Sequence, residues 1–330
     1  KLLLKSNSMS LKPTLSELAD LSLAASRLWT LDSNRLQYGK DYILDLQGCR
    51  KYSDGDVAAR PLFKSLDESI FSRSTFKTFA ALLDNYSAET GQAEVVTQEE
   101  QVEDSAFLNA LCSTECIRYL GEYLTAKKVI ANTGATKQYL FDLWFKMYKR
   151  DHSSRGCDSS AFEHVFVGEI SQDFKTGEMI VKGLHNWIQI YLQERDGVLD
   201  YRGYRRPRNR GLSSLKFDLE AEQVLSMQFE WKGHLKPVGT SLIGVSPEFE
   251  IALYTMCFAC GKYEDGQSAR TPVQIGPYSV DVITHHFGGK GLGSGYVEEA
   301  AFTPDQAATR IQSAVRARQG YRGAPAASGG

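Results

Sequence analysis

The chain has 330 residues, enough for two ordinary domains or one large domain with a sizeable core. Apolar residues make up 42% of it and charged residues 24%, which is typical of a soluble globular protein and excludes a disordered or collagen-like chain. The 38 Lys and Arg residues nearly balance the 40 Asp and Glu residues. No global charge therefore attracts a polyanion or a membrane surface, and any affinity for nucleic acid must be local.

The sequence has no apolar run near the ~20 residues that span a bilayer. Its opening, Lys-Leu-Leu-Leu-Lys at 1–5, is too short and too soon charged for a signal peptide. We therefore expect an intracellular protein. Secretion stays an open alternative, because the first residue is not Met and the native amino terminus can lie further upstream.

The first 150 residues are predicted to be mostly helical, because apolar side chains recur every three or four positions. Small polar residues at 151–160 break this periodicity and mark a linker or an exposed loop. We therefore predict an amino-terminal extension at 1–13 and a helical lobe at 14–150. Amphipathic helices are predicted at 14–30, 74–87, 105–127 and 137–150.

Runs rich in β-branched and aromatic residues follow the break, so 151–300 is predicted to be the sheet-rich part. Two helices interrupt it, one beginning at Asn186 and one at Ser246, where Ser, an early Pro and Glu make a helix start. Helices first and mixed strands afterwards predict an α+β fold. Strands are predicted at 165–170, 215–219, 224–231, 238–245 and 273–284.

Residues 301–330 form a basic tail that is rich in Ala and ends in Gly, Ala, Pro and Ser, which predicts an appended helix and a disordered end. Within it, 310–322 (RIQSAVRARQGYR) resembles an IQ motif, the kind of basic amphipathic helix that docks into calmodulin or a related light chain. An Ala-rich helix that adds to RNA binding is an equally good interpretation.

Two histidines and a lysine are candidates for chemistry. His164 lies near the start of a strand-like run and His185 where a strand gives way to a helix; they are 21 residues apart, which suits two strands joined by a hairpin. Since the histidine pKa is near 6.5, one ring can act as base while the other acts as acid. Lys236 leads into an apolar strand, where an ammonium group can stabilise a developing anion. From spacing alone this triple is a suggestion, because such residues are more often structural.

The stretch 201–216 is strongly basic and holds five arginines, one lysine and no acidic residue, with Tyr201 and Tyr204 between them. Guanidinium groups pair with phosphate oxygens and tyrosine rings stack on unpaired bases, so this stretch is a candidate contact for single-stranded RNA or DNA. A solvated basic loop is an equally good interpretation.

Four segments carry a resemblance to a known family, the EndoU (XendoU-type) endoribonucleases. Both the order and the context of the segments match, and the resemblance extends over roughly 15–298. The segments are FEHVFVGE at 162–169, GLHNWIQIYLQE at 183–194, DYRGY at 200–204 and WKGHLKPVGTSLIGVSPEFEIALYT at 231–255.

The resemblance implies an α+β fold with a helical N-terminal lobe followed by a sheet-rich catalytic domain. It implies cleavage of single-stranded RNA at uridines, usually dependent on Mn2+, with 2′,3′-cyclic phosphate and 5′-hydroxyl ends. A catalytically inactive RNA-binding module with the same fold is the alternative. No His, Cys and carboxylate cluster has the spacing of a preformed metal site, so Mn2+ would bind loosely at carboxylates or RNA phosphates.

The family's site residues can be carried over one by one. The two catalytic histidines fall on His164 and His185 and the catalytic lysine on Lys236, with Lys232 as a second choice. The family's important acidic positions fall on Glu163 and Glu169. Likeness to the distantly related coronavirus uridylate-specific endoribonuclease adds a pocket for uracil, and the basic stretch adds contacts to the substrate. The expected substrate-binding residues are Thr240, Tyr296, Arg202, Arg205 and Arg206.

Overall fold

The structure is a computed structural model, and it shows how the helices and sheets share one core. It describes residues 10–49, 55–91, 93, 95–150, 154–173, 175–205, 223–263, 266–288 and 291–300. The predicted strand at 215–219, Arg206 and the IQ-like segment at 310–322 lie outside these residues.

Helices dominate the amino-terminal half, as predicted, but they are shorter than the periodicity indicated. The stretch 14–30 is two helices because the side chain of Asp20 accepts a hydrogen bond from the backbone N–H of Ser22 and starts a new helix. Thr114 starts another helix within 105–127 in the same way. The α-helices among the described residues of this half are α1 (Leu15–Ala19), α2 (Leu21–Leu31), α3 (Ser74–Ala81), α4 (Gln98–Cys112), α5 (Glu115–Ala126) and α6 (Thr136–Trp144).

The strands form small antiparallel sheets, two of them three-stranded. The described strands are β1 (Tyr42–Leu44), β2 (Phe63–Leu66), β3 (Glu169–Gln172), β4 (Met179–Lys182), β5 (Leu199–Tyr204), β6 (Val224–Trp231), β7 (His234–Leu242), β8 (Ser268–Ile275), β9 (Tyr278–Phe287) and β10 (Gly291–Glu299). One three-stranded sheet has the order β5-β6-β7 and the other β10-β9-β8, while β1 pairs with β2 and β3 with β4.

Two predicted strands differ from the structure. The run 165–170 begins as a π-helical turn, Glu163–Val167, and becomes a strand only at Glu169. The run 273–284 is the end of β8 and most of β9, because Gly276 turns the chain with a φ of 54°. Both helices predicted in this half begin where expected, α7 (Trp187–Arg195) and α8 (Pro247–Cys260).

The core joins the helical half to the sheets. Helix α2 packs on β8, where the hydroxyl of Ser26 donates to the carbonyl of Gln274 at 2.7 Å. Helix α8 is buried along almost its whole length, and the indole of Trp144 in α6 donates to the hydroxyl of Thr255 in α8 at 2.9 Å. The fold is therefore α+β, as predicted. None of the helices in the described ranges is both long and apolar enough to span a bilayer.

Candidate active site

A cleft of about 1050 Å³ opens where strand β7 approaches β4 and β10. It exceeds the ~300–1,000 Å³ of a pocket for one small molecule, so it has room for a longer ligand. Basic side chains from several elements line it, which favours an anionic ligand. They are Arg150, Lys182, Arg205, Lys236 and Arg270.

His164 sits in the π-helical turn with its ring against a buried carboxylate. Its Nδ1 lies 2.7 Å from Oε2 of Glu169. The other carboxylate oxygen, Oε1, accepts a hydrogen bond from the hydroxyl of Ser159 and lies 3.3 Å from Nε of Arg150. An ionised carboxylate only accepts hydrogen bonds, so Nδ1 carries a proton and Nε2 is the nitrogen left for the cleft.

The pKa values of this pair follow from burial and charge. Burial alone would raise the pKa of Glu169, but the charge and the hydrogen bond of His164, together with Arg150, lower it to about 2. The pKa of His164 is lowered from its usual range, mainly by burial and then by Arg150, while Glu169 opposes that shift. Glu169 is therefore ionised at neutral pH and favours the protonated form of His164.

His185 is held next to His164 by the backbone. The N–H of His185 donates to the carbonyl of Val165 at 2.8 Å, and that of Leu184 donates to the carbonyl of His164 at 3.1 Å. Both Gly183 and Leu184 have positive φ values, 61° and 51°. A Cβ at position 183 would lie 1.6 Å from the carbonyl oxygen of His164, so only glycine fits this corner.

The ring of His185 faces a neutral carbonyl oxygen, whereas that of His164 faces a carboxylate. Its Nδ1 lies 3.3 Å from the carbonyl oxygen of Thr240, which can only accept, so Nδ1 carries the proton and Nε2 is the basic nitrogen. Burial, then the charges of Lys236 and His164, lower the pKa of His185 well below its usual range. His185 is therefore neutral at pH 7.

Lys236 reaches the same place from strand β7. Its Nζ donates to the carbonyl of Gly183 at 2.6 Å, and its side chain is almost fully buried. Burial is the main cause that lowers its pKa to about 7; Glu169 opposes the shift and Lys182 adds to it. The structure thus brings all three predicted residues together.

Thr240 and Tyr296 also line the cleft, from β7 and β10. The ring of Tyr296 is nearly parallel to that of His185, with the centroids 4.9 Å apart and 13° between the planes. The hydroxyl of Thr240 lies 2.9 Å from that of Ser226 on β6. Both residues are therefore on the His185 side of the cleft.

The other predicted residues lie in different places. Glu163 is buried and exchanges hydrogen bonds with Ser160 through its carboxylate and its backbone N–H, so it shapes the turn that carries His164. Arg205 lines the cleft and donates to the carbonyl of Pro237 at 2.9 Å. Arg202 does not line this cleft, because Glu230 pairs with it on the neighbouring strand.

The second-choice lysine, Lys232, lies in the turn between β6 and β7. Its Nζ is 5.2 Å from the ring centroid of Trp231, and it does not line the cleft. The geometry therefore favours Lys236 over Lys232.

Sequence reasoning missed several residues of the cleft, among them Arg150, Gly183 and His285. Arg150 falls in the stretch predicted to be helix, Gly183 lies where a strand was expected to give way to a helix, and His285 directly follows the strand predicted at 273–284. His285 could have been found from the alternation of side chains along β9, because alternate residues of a strand lie on the same face of the sheet. No local signal marks Arg150, whose partner Gly293 is 143 positions away.

No group of three or more His, Cys, Asp or Glu side chains that could hold a metal ion occurs among the residues that the structure describes. Among these residues there is thus no preformed ligand set of the kind that holds a resident metal ion.

Two buried histidines, one paired with a carboxylate and the other with a neutral carbonyl, lie beside a lysine in a basic cleft, and such groups can serve as acid, base and anion stabiliser. The family model of endoribonuclease XendoU matches residues 20–297. The chain belongs to the XendoU endoribonuclease family and is an RNA-cleaving enzyme.

Relatives and a solved structure agree with this family. The uridylate-specific endoribonuclease B of Danio rerio is 42% identical over 84% of this chain and 95% of its own length. The poly(U)-specific endoribonuclease-A of Xenopus laevis is 41% identical over 84% of this chain and 92% of its own. The structure of XendoU, described as a splicing independent snoRNA processing endoribonuclease, has a TM-score of 0.71 and 40% identity and covers 85% of this chain and 97% of that one.

Proposed function

We propose that this protein cleaves single-stranded RNA after uridines by attack of the ribose 2′-hydroxyl, which leaves 2′,3′-cyclic phosphate and 5′-hydroxyl ends. The different partners of the two histidines carry this proposal, because the carboxylate of Glu169 favours the protonated form of His164 whereas His185 is neutral. Cyclisation needs such an acid and such a base on opposite sides of one phosphate. The names of the relatives, uridylate-specific and poly(U)-specific, support the preference for uridine.

In the proposed reaction, Nε2 of neutral His185 takes the proton of the 2′-hydroxyl, and the oxygen attacks the adjacent phosphorus. The bond from phosphorus to the 5′-oxygen breaks, and Nε2 of protonated His164 gives its proton to that oxygen. Lys236 stabilises the charge that develops on the phosphoryl oxygens. Between turnovers His185 releases the proton it has taken up to solvent, and His164 takes up a new proton from solvent.

Replacing Glu169 by Gln should move the alkaline limb of the pH profile to lower pH. The rate constant kcat/KM should fall as pH rises, because His164 (pKa below 6.5) and Lys236 (pKa about 7) lose protons. Glu169 raises both pKa values, so its removal lowers both. A displacement of one unit would lower kcat/KM at pH 7 about tenfold.

The measurement is kcat/KM between pH 5 and 9 for the wild type and Glu169→Gln. The control is Glu178→Gln, since Glu178 is exposed beside the turn between β3 and β4. An alkaline limb at the same pH in the wild type and Glu169→Gln would contradict the role assigned to Glu169.

We further propose that Mn2+, where cleavage depends on it, is held loosely by carboxylates and RNA phosphates.

For the tail we propose a calmodulin or light-chain contact through 310–322, with an RNA-binding helix as the alternative. Co-purification of the full chain with calmodulin in the absence of Ca2+ separates these two.

The test of the proposed function is cleavage of an end-labelled RNA that holds a single uridine, with and without Mn2+. Cutting at the uridine, and none when cytidine replaces it, is the expected result. Tight binding without cutting in either condition would support the RNA-binding module instead.

A further inference from the structure

An aromatic pair beside the guanidinium group of Arg150 forms part of the cleft, and the chemistry described so far does not use its two rings. The rings of Tyr148 and Phe287 are stacked, with centroids 4.5 Å apart and 30° between their planes. The guanidinium carbon of Arg150 lies 5.3 Å from the Tyr148 centroid and 5.7 Å from the Phe287 centroid. We call these three residues the Phe287 platform; Phe287 and Arg150 both line the cleft.

The Phe287 platform belongs to the His164 side of the cleft. Arg150 lies 3.3 Å from Glu169, and Glu169 lies 2.7 Å from His164. Tyr296 lies on the other side of the cleft, where its ring stacks on that of His185. The ring centroid of Tyr296 is 6.0 Å from that of His285.

Strand β9 connects the two sides. His285 and Phe287 are alternate residues of this strand, so they share a face and lie about 7 Å apart along it. One face of β9 therefore runs from the side of the proposed base to the side of the proposed acid.

The position of each nucleoside follows from the proposed function, on which this inference rests. The nucleoside that supplies the 2′-hydroxyl must lie beside the base, His185. The leaving 5′-oxygen must lie beside the acid, His164, so the nucleoside that carries it extends towards the Phe287 platform.

We propose that the Phe287 platform binds the nucleobase on the 3′ side of the cleaved phosphate by stacking. Aromatic rings bind bases of single-stranded nucleic acid in this way, and an adjacent guanidinium group adds a cation–π contact. Every base has a π face, so the site accepts all four, and the larger face of a purine stacks more strongly. The enzyme thus reads the base after the uridine as well as the uridine.

The Phe287 platform is built in place by contacts to the neighbouring strand. The register of β10 against β9 shifts between Leu292 and Ser294, and the carbonyl of Gly293 at this bulge accepts a hydrogen bond from Arg150 at 2.5 Å. A Cβ at position 293 would lie 2.8 Å from the Cβ of Phe287, so the close approach requires glycine there. A preformed site spends little of its binding free energy on ordering side chains.

The test compares two RNAs that differ at one residue, with a single uridine followed either by adenosine or by an abasic residue. In the wild type, kcat/KM should be about 5- to 150-fold higher for the adenosine RNA, the range expected for one stacked base. In Phe287→Ala and in Phe287→Leu, which keeps an apolar side chain against Tyr148, this ratio should fall towards one. In Phe287→Trp it should be retained.

The matched control is His285→Ala, on the same strand and face, which should keep the ratio. Two results would overturn the inference: a wild-type ratio of one, or a ratio that Phe287→Leu retains. Either result can be told apart from failure of the proposed function. In that case the wild type would cut neither RNA at the uridine, and this result would refute both proposals together.

Discussion

Replacing His185 by Ala should lower kcat/KM for RNA cleavage by about 10²- to 10⁴-fold, the usual contribution of a general base. The reason is that the carbonyl of Thr240 keeps the proton on Nδ1 and leaves Nε2 free to accept one, while the lowered pKa of His185 keeps the ring neutral.

Lys236→Ala should lower kcat/KM by about 10²- to 10³-fold, as expected for loss of one group that stabilises the transition state. Binding of uncleavable RNA should change much less.

The matched control for both variants is His234→Ala. His234 lies on β7 with Lys236 but does not line the cleft, so this variant should retain wild-type cleavage. If His185→Ala and Lys236→Ala both retain wild-type cleavage, the site assignment is wrong.

Gly183→Ala should lower kcat/KM about a hundredfold and also destabilise the fold. The added Cβ would meet the carbonyl oxygen of His164 at 1.6 Å, so the two segments that carry the histidines must move apart. The carbonyl of Gly183 also accepts the hydrogen bond from Lys236, so one displacement disturbs all three residues. A misplacement of about 1 Å at a catalytic site costs about 10² in rate.

Gly197→Ala is the matched control, because it separates the effect of the steric contact at Gly183 from the effect of a positive φ. Gly197 has a similar φ, 72°, but a Cβ there would meet no atom within 4 Å. This variant should lose only the ~1–2 kcal/mol of a left-handed residue and keep its activity. Thermal unfolding and kcat/KM are measured for both variants, and equal effects in the two would contradict the positioning role of Gly183.

The local features of the fold could be predicted from sequence because short-range signals determine them. Asn186 and Ser246 begin α7 and α8, since each side chain accepts hydrogen bonds from the first turn of its helix. Strands β3 and β4 pair antiparallel, as expected for the predicted hairpin between the two histidines. Helix ends were less predictable, and 137–150 is helical only to Trp144 because Tyr148 pairs with Ser159 instead.

The surroundings of the site could not be predicted, because they depend on distant contacts. The sequence indicated a strand at His164, whereas a π-helical turn places its ring on Glu169. The parallel packing of Tyr296 on His185 joins residues more than a hundred positions apart. Residue types and spacing only suggested the two histidines and the lysine, and the family resemblance predicted that these side chains meet. Their burial and pairing, which set their pKa values, arise only in the folded chain.

The most direct measurement of the central claim uses an RNA with a single uridine beside the same RNA with 2′-deoxyuridine at that position. If the 2′-hydroxyl is the nucleophile, only the ribose form should be cut, its products should carry a 2′,3′-cyclic phosphate and a 5′-hydroxyl, and the deoxy form should bind without being cut. Cleavage of the deoxy form, or products with a 5′-phosphate, would contradict the account, because the nucleophile would then be water or another group.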